Sequence, residues 1–332
     1  MRHTLIIAEA GVNHNGSLDL AKQLALAAKE CGADIVKFQT AKLDSLVSKY
    51  AAMAGYQKKN IGREMSQKEM LKKLLLTYEE FRSLSAYCKE IGIRFLSAPF
   101  DLDSIGFLEE LGCDLWKIPS GEITNRPCLE RIAKTNQPVI LSTGMSSLRE
   151  VEEAVCVLKE RGAGELTLLH CTTEYPAAYG DVNLRAMITL KNQFGCRVGY
   201  SDHTKGLEIP AAAVAMGASV IEKHFTLDPL MDGPDHRASL SPKEMAAMVQ
   251  AIRNVESAMG DGEKKPAEPE LENQTAARKS IIAARDIARG EILTDQNLTT
   301  KRPGNGISPM RWYEVTGTKA IRDFKEDELI EL

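Results

Sequence analysis

Two histidines, His203 and His224, stand 21 positions apart, each at the polar end of a short β-type run. The runs are Tyr200-Ser201-Asp202-His203 and Ile221-Glu222-Lys223-His224-Phe225. If they are neighbouring parallel strands, both imidazoles converge at one mouth. Two imidazoles with open positions suit a catalytic divalent metal. The alternative is a pair of hydrogen-bonded histidines at strand ends.

Two lysines add an opposite kind of chemistry. Lys37 and Lys117 lie inside apolar runs, Ile35-Val36-Lys37-Phe38 and Leu115-Trp116-Lys117-Ile118. A lysine there must reach the mouth or find a partner. With nearby serines and threonines, the two make a site for a small polyanion such as a phosphorylated carboxylate. Glu9, Glu122 and Glu222 can transfer protons or support the histidines. A Schiff-base role competes for Lys37 or Lys117, as in a lyase or aldolase. The histidine pair favours a metal-assisted mechanism, because a metal already supplies the electrophile. Asp232-Gly233-Pro234-Asp235 forms a turn that can aim Asp235 into the mouth.

The elements that position these residues alternate regularly. Strand candidates are 4–10, 34–39, 93–98, 114–118, 138–143, 166–171, 196–201 and 219–225. Helical stretches such as 18–31, 78–91, 103–111, 147–161, 182–194 and 206–216 lie between them, and 242–259 follows the last strand. Eight β-then-α units in this length predict a (β/α)8 barrel over 1–260. A doubly wound sheet usually shows a glycine-rich loop after strand one. Here that loop reads Gly11-Val12-Asn13-His14-Asn15-Gly16, without the G-x-G-x-x-G spacing. A barrel's active site lies at the C-terminal ends of its strands. Those ends carry Glu9, Lys37, Gln39, Ser97, Lys117, Ser120, Ser142, Thr173, Tyr175, Ser201 and the two histidines. So many polar strand ends require a polar ligand to offset their desolvation.

The remaining composition sets bounds. A net charge of −4 gives no global basic signature for nucleic acid or an anionic membrane. Seven scattered cysteines without a CxxC pair read as reduced thiols in a cytoplasm. Residues 261–276 read as a solvated linker that spans roughly 50 Å if extended. Residues 277–332 form a small β-rich module with an internal echo, Asp286-Ile287 against Asp323-Phe324. A module this small is near the limit of independent stability, so it should dock on something.

Taken in order, the motifs resemble the bacterial sialic acid synthases, N-acetylneuraminate synthase and its close relatives. They are Glu9–Gly16, Val36–Thr40, Trp116–Glu122, Leu141–Met145, Tyr200–His203, Glu222–Phe225 and Gly233–Asp235. Lys301-Arg302-Pro303-Gly304-Asn305-Gly306 resembles the signature of their C-terminal antifreeze-like (SAF) domain. The resemblance implies condensation of phosphoenolpyruvate with an N-acetylated amino sugar, with release of phosphate. His203 and His224 would bind Mn2+, or Mg2+ or Co2+ in its place. Lys37, Lys117, Ser120 and Ser142 would hold phosphoenolpyruvate, with Glu9 and Glu122 handling water and protons. Gln39, Thr173, Tyr175, Ser201, Glu222 and Asp235 would complete the pocket. The resemblance also implies a homodimer that exchanges its tails, with Arg302 reaching the partner's sugar site.

The implied acceptor is N-acetylmannosamine, giving N-acetylneuraminate. Thr172-Thr173 stands where an asparagine is familiar, and Ala98 where a threonine is. A pocket that loses an amide can favour a less hydroxylated, more acylated sugar. The alternative is therefore a legionaminic acid synthase using a 2,4-diacetamido-trideoxy hexose. A pseudaminic acid synthase fits the Gly11–Gly16 loop less well.

Overall fold

A computed structural model describes residues 3–48 and 66–332. The chain divides into two compact units, Met1–Gly260 and Asp261–Leu332.

The first unit is a (β/α)8 barrel. Its strands are β1 (Leu5–Gly11), β2 (Ile35–Thr40), β3 (Arg94–Pro99), β4 (Trp116–Ile118), β5 (Val139–Ser142), β6 (Leu166–Cys171), β7 (Arg197–Asp202) and β8 (Val220–His224). Every ladder is parallel, and β1 pairs with both β2 and β8. β3 and β4 lie side by side without a hydrogen-bonded ladder between them. Serine, threonine and aspartate caps start several of the helices. Thr77, Ser147 and Ser241 each form a reciprocal capping box with a glutamate three residues on. One helix, Arg126–Ala133, is absent from the sequence reading although Cys128, Leu129, Ile132 and Ala133 are buried at helical spacing; it is short and has a proline in its first turn.

Period-two alternation builds the interior in layers. Ile7, Ile35, Leu115, Ile140, Leu169 and Val220 cluster inside the barrel. Each buried aliphatic side chain contributes about 1.5–3 kcal/mol. β7 offers Gly199 at this level, where an added Cβ would lie 2.4 Å from the Val220 carbonyl and 2.6 Å from Leu169. Two residues further along every strand but β3, which offers Ala98, the layer turns polar: Glu9, Lys37, Lys117, Ser142, Cys171, Ser201 and Glu222, all buried. Two residues beyond that come Gly11, Gln39, Thr173, His203 and His224. The apolar layer thus acts as a floor, and the polar groups stand on it.

The second unit pairs β9 (Ser280–Ala283) with β10 (Leu298–Lys301), antiparallel, around a core that includes Ile281, Ile287, Leu298, Val315 and Phe324. The sequence echo is a structural two-fold. Ile287 and Phe324 exchange backbone hydrogen bonds of 2.8 and 2.9 Å. Asp286 accepts from the Glu326 N–H, and Asp323 accepts from the Arg289 N–H, so each half caps the other at the same offset. The segment expected as an unstructured linker carries a helix, Glu268–Ala277. Glu270 caps the Ala267 N–H at 2.7 Å, and Pro269 sits in the first turn. The helix buries no residue, so it has no apolar stripe by which periodicity would reveal it.

Candidate active site

The polar layer opens into a cavity of about 420 Å3 at the C-terminal ends of the strands, a volume suited to a small-molecule ligand. Its base is a buried charge network. Lys37 Nζ lies 2.5 Å from Glu9 Oε2 and 3.7 Å from Glu222 Oε2. Lys117 Nζ lies 3.5 Å from Glu222 Oε1 and donates to Ser142 Oγ at 2.8 Å. Ser201 donates to Glu222 at 3.0 Å, and Gln39 donates to Glu9 at 3.0 Å. β1 makes this possible through a register shift between Glu9 and Gly11. Gly11 has φ +50°, and a Cβ there would come within 3.0 Å of Glu9 Oε1.

The environment separates the titrations. Burial opposes charge at Glu222, yet the Lys117 and Lys37 ammonium groups hold its carboxyl down to about 2. At Glu9 burial prevails and the carboxyl is raised. Lys37 lies between two carboxylates, which outweigh its desolvation and raise it. Burial wins at Lys117, which is lowered, with the Lys37 charge adding to the effect. Asp235 is pushed up to about 7 by burial and by the Glu9 charge. The cavity therefore holds one firmly ionised carboxylate, two carboxyls raised by burial, and two ammonium groups of different strength.

The other expected residues are placed unevenly. Ser120, Thr173, Tyr175 and both histidines line the cavity with this network. Ser120 Oγ accepts from the Gly144 N–H at 2.9 Å. Thr173 Oγ1 is buried with no hydrogen-bond partner among the described residues. The Tyr175 ring centroid is 4.2 Å from that of His203 and 5.4 Å from that of His224. Glu122 does not line the cavity. It sits half-buried in the turn Ser120–Glu122 and accepts from Asn125 at 2.6 Å. Arg302 belongs to the second unit, where it is exposed and its Nε donates to the Ala277 carbonyl at 3.1 Å.

Three features have no assigned role in the sequence reading. Cys171 points into the polar layer, 3.3 Å from Ser120 Oγ. Counting by two from Leu169 would have found it. At Gly144 a Cβ would lie 2.3 Å from Thr173 Oγ1 and 2.9 Å from Ser120 Oγ, so only glycine fits. The outer wall is apolar, with Val47, Leu71, Leu74, Leu75, Phe100 and Met145. The helix Gln67–Lys72 and the turn after it, which carry three of those leucines, have no motif that would mark them as site-forming.

The histidine pair fits a metal in its donor chemistry. The ring centroids of His203 and His224 are 5.4 Å apart. His203 Nδ1 lies 2.6 Å from the Thr172 carbonyl, which can only accept, so Nε2 keeps a free lone pair. His224 Nδ1 is buried without a hydrogen-bond partner. Burial lowers both imidazoles, which keeps them neutral and able to ligate. Among the described residues no cluster of three or more His, Cys, Asp or Glu is arranged for a metal. Two protein ligands would leave most of the shell to water and substrate.

Comparison with known proteins agrees with this architecture. Residues 24–264 match the NeuB family model, and residues 278–331 match the SAF domain. The N,N'-diacetyllegionaminic acid synthase of Campylobacter jejuni is 54% identical over 332 residues, 99% of either chain. The enzyme of the same name from Legionella pneumophila is 50% identical over 95% of this chain and 89% of its own. The crystal structure of the N-acetylneuraminic acid synthetase of Leptospira borgpetersenii superposes with a TM-score of 0.71 at 36% identity, over 81% of this chain and 90% of that one. The chain belongs to the NeuB family. It is a carbon–carbon bond-forming transferase that condenses phosphoenolpyruvate with an amino sugar.

Proposed function

We propose that the acceptor is a 2,4-diacetamido-trideoxy hexose and the product N,N'-diacetyllegionaminic acid. This takes up the alternative named from the sequence in preference to N-acetylmannosamine. The observation that carries it is the near end-to-end identity of 54% with a synthase of that name. The cavity supports it physically. A deoxy position and a second acetyl methyl suit a wall of Val47, Leu71, Leu74, Leu75, Phe100 and Met145. Hydroxyls against that wall would lose hydrogen bonds to water, at about 1–3 kcal/mol each.

In this reading Lys37, Lys117, Ser142 and Ser120 hold the phosphate and carboxylate of phosphoenolpyruvate. C3 of the enol forms the new bond to the aldehyde carbon. Water adds at C2, the C2–O bond to phosphorus breaks, and inorganic phosphate leaves. The water loses both of its protons as C2 becomes a ketone: one ends on the aldehyde oxygen and the other leaves on the phosphate. Glu9 and Asp235 are suited to move those protons, because both line the cavity and both are raised toward neutrality. Glu122 shares the turn with Ser120 but does not line the cavity, so we assign it to holding that turn. Ser201 and Lys117 keep Glu222 ionised. Gln39 fixes Glu9, and Thr173 offers its free hydroxyl to the acceptor. His203 and His224 would hold a divalent ion, Mn2+ in our reading. When bound, it would supply Lewis acidity at the sugar carbonyl.

We further read the active form as a homodimer that exchanges its second unit, with Arg302 completing the partner's sugar site. The seven free cysteines suit the reducing cytoplasm expected from the sequence. Mass spectrometry of the product tests the acceptor directly. The diacetamido sugar should give the diacetylated nine-carbon acid. Turnover of N-acetylmannosamine alone would return the assignment to N-acetylneuraminate.

A further inference from the structure

Behind the two imidazoles lies a second charged pair that the chemistry above does not use. Asp202 and Lys223 are register partners on β7 and β8. Both are 0% exposed, and they form an ion pair. Period-two alternation puts them on the opposite face of their strands from Ser201, His203, Glu222 and His224. Those four line the cavity, whereas Asp202 and Lys223 do not.

The pair is tied to both ends of His203. Lys223 Nζ donates to Asp202 and also to the Thr204 carbonyl. Asp202 Oδ1 accepts from the Thr204 N–H at 3.0 Å and from its hydroxyl at 2.9 Å. The residues before and after His203 are therefore fastened to one ammonium group, and that ammonium belongs to the residue before His224. A fully buried ion pair is a weak source of stability, because desolvation offsets its attraction. Here it crosses between the two strands that carry the imidazoles, at the level of the imidazoles themselves.

We infer that the Asp202–Lys223 pair, with Thr204, sets the spacing and aim of His203 and His224 for a shared divalent cation. These are positioning residues and do not touch substrate. The inference rests on the reading of His203 and His224 as the cation's ligands. Supporting residues behind metal ligands typically change affinity by about 10–100-fold.

The test is Mn2+ affinity, read by electron paramagnetic resonance without substrate, in the full-length protein. The variants are Asp202→Asn/Lys223→Met, His203→Ala and Thr204→Val. The double variant removes both charges together, so neither is left buried alone. It should bind Mn2+ at least about tenfold more weakly than wild type. Its KM for phosphoenolpyruvate at saturating Mn2+ should stay within about twofold, because the anion site is untouched. Thr204→Val, nearly isosteric, should weaken Mn2+ by a smaller factor. If the double variant does not fold, an unchanged affinity in Thr204→Val overturns the inference. A folded double variant with wild-type affinity, while His203→Ala loses binding, overturns the clamp and leaves the ligand assignment intact. His203→Ala binding Mn2+ as wild type does overturns both.

Discussion

Lys37 Nζ and Glu9 Oε2 stand 2.5 Å apart, with side chains only 4% and 2% exposed. A charge pair this dry is arranged before any ligand arrives. Together with Glu222, which faces both lysines, it lets the barrel floor carry two ammonium groups without unpaired buried charge. Lys117 is the less committed of the two, because its nearest carboxylate oxygen is 3.5 Å away and its amine rests on Ser142.

That difference predicts different failures for the two lysines. Lys117→Ala removes one charge-assisted contact of about 1.5–3 kcal/mol. Its KM for phosphoenolpyruvate should rise by roughly 10–100-fold, with only a small drop in melting temperature, because Glu222 keeps Lys37 and Ser201 as partners. Lys37→Ala leaves Glu9 without its partner and should also lower the melting temperature by several degrees. Steady-state kinetics and calorimetry check both. Unchanged KM in both variants would place the anion elsewhere.

Acid should destabilise the barrel through two buried imidazoles. Desolvation holds both His14 and His236 down to about 4, against an ordinary 6.5. The unfolded chain therefore takes up these protons first as pH falls. Their contribution is complete above about pH 6.5 and is lost between about 6.5 and 4, at no more than about 3.5 kcal/mol each. Asp235, raised to about 7, acts in the opposite sense, losing stability as pH rises from about 3.8 to 7. Comparing variants isolates the histidines. Melting temperatures of His14→Gln between pH 7.5 and 4.5 should fall less steeply than those of wild type. An identical slope would mean that His14 does not stay neutral in the fold.

Much of this was legible in the sequence because the barrel repeats one rule. An aliphatic residue followed two positions later by a polar one recurs at Ile7 and Glu9, Ile35 and Lys37, Leu115 and Lys117, Ile140 and Ser142, and Val220 and Glu222. Strand phase alone puts those polar groups on one floor. Glu122 escapes the rule because it lies beyond β4, in a turn where strand alternation no longer applies and Asn125 donates to it. The apolar wall was not legible, since no local pattern says which loop folds over the mouth. The Glu268–Ala277 helix was hidden because it buries nothing.

The same helix changes the reach expected of the tail connection. Nine of the positions 261–276 are helical at 1.5 Å each, so the span falls from roughly 50 Å to roughly 40 Å, part of it a short rod. The exchange we propose predicts complementation between two inactive variants, His203→Ala and Arg302→Ala. Mixed dimers should regain about one working site in two, built from an intact barrel and a donated Arg302. With subunit exchange verified by mass-tagged chains, no recovery would assign each tail to its own barrel or to no site.

Metal removal should be complete and reversible, since two imidazoles are few ligands. EDTA should abolish phosphate release and Mn2+ should restore it. His203→Ala and His224→Ala should keep the wild-type far-ultraviolet circular dichroism and lose turnover. Full activity in chelated buffer would remove the cation from the mechanism.

The most direct test of the acceptor is a phosphate-release assay with phosphoenolpyruvate and Mn2+, comparing the 2,4-diacetamido-trideoxy hexose with N-acetylmannosamine. An apolar wall in place of hydroxyl partners is worth about 1–3 kcal/mol per mismatched group. The account predicts kcat/KM at least about tenfold higher for the diacetamido sugar, with one phosphate released per nine-carbon acid formed. Equal or higher kcat/KM for N-acetylmannosamine would contradict it.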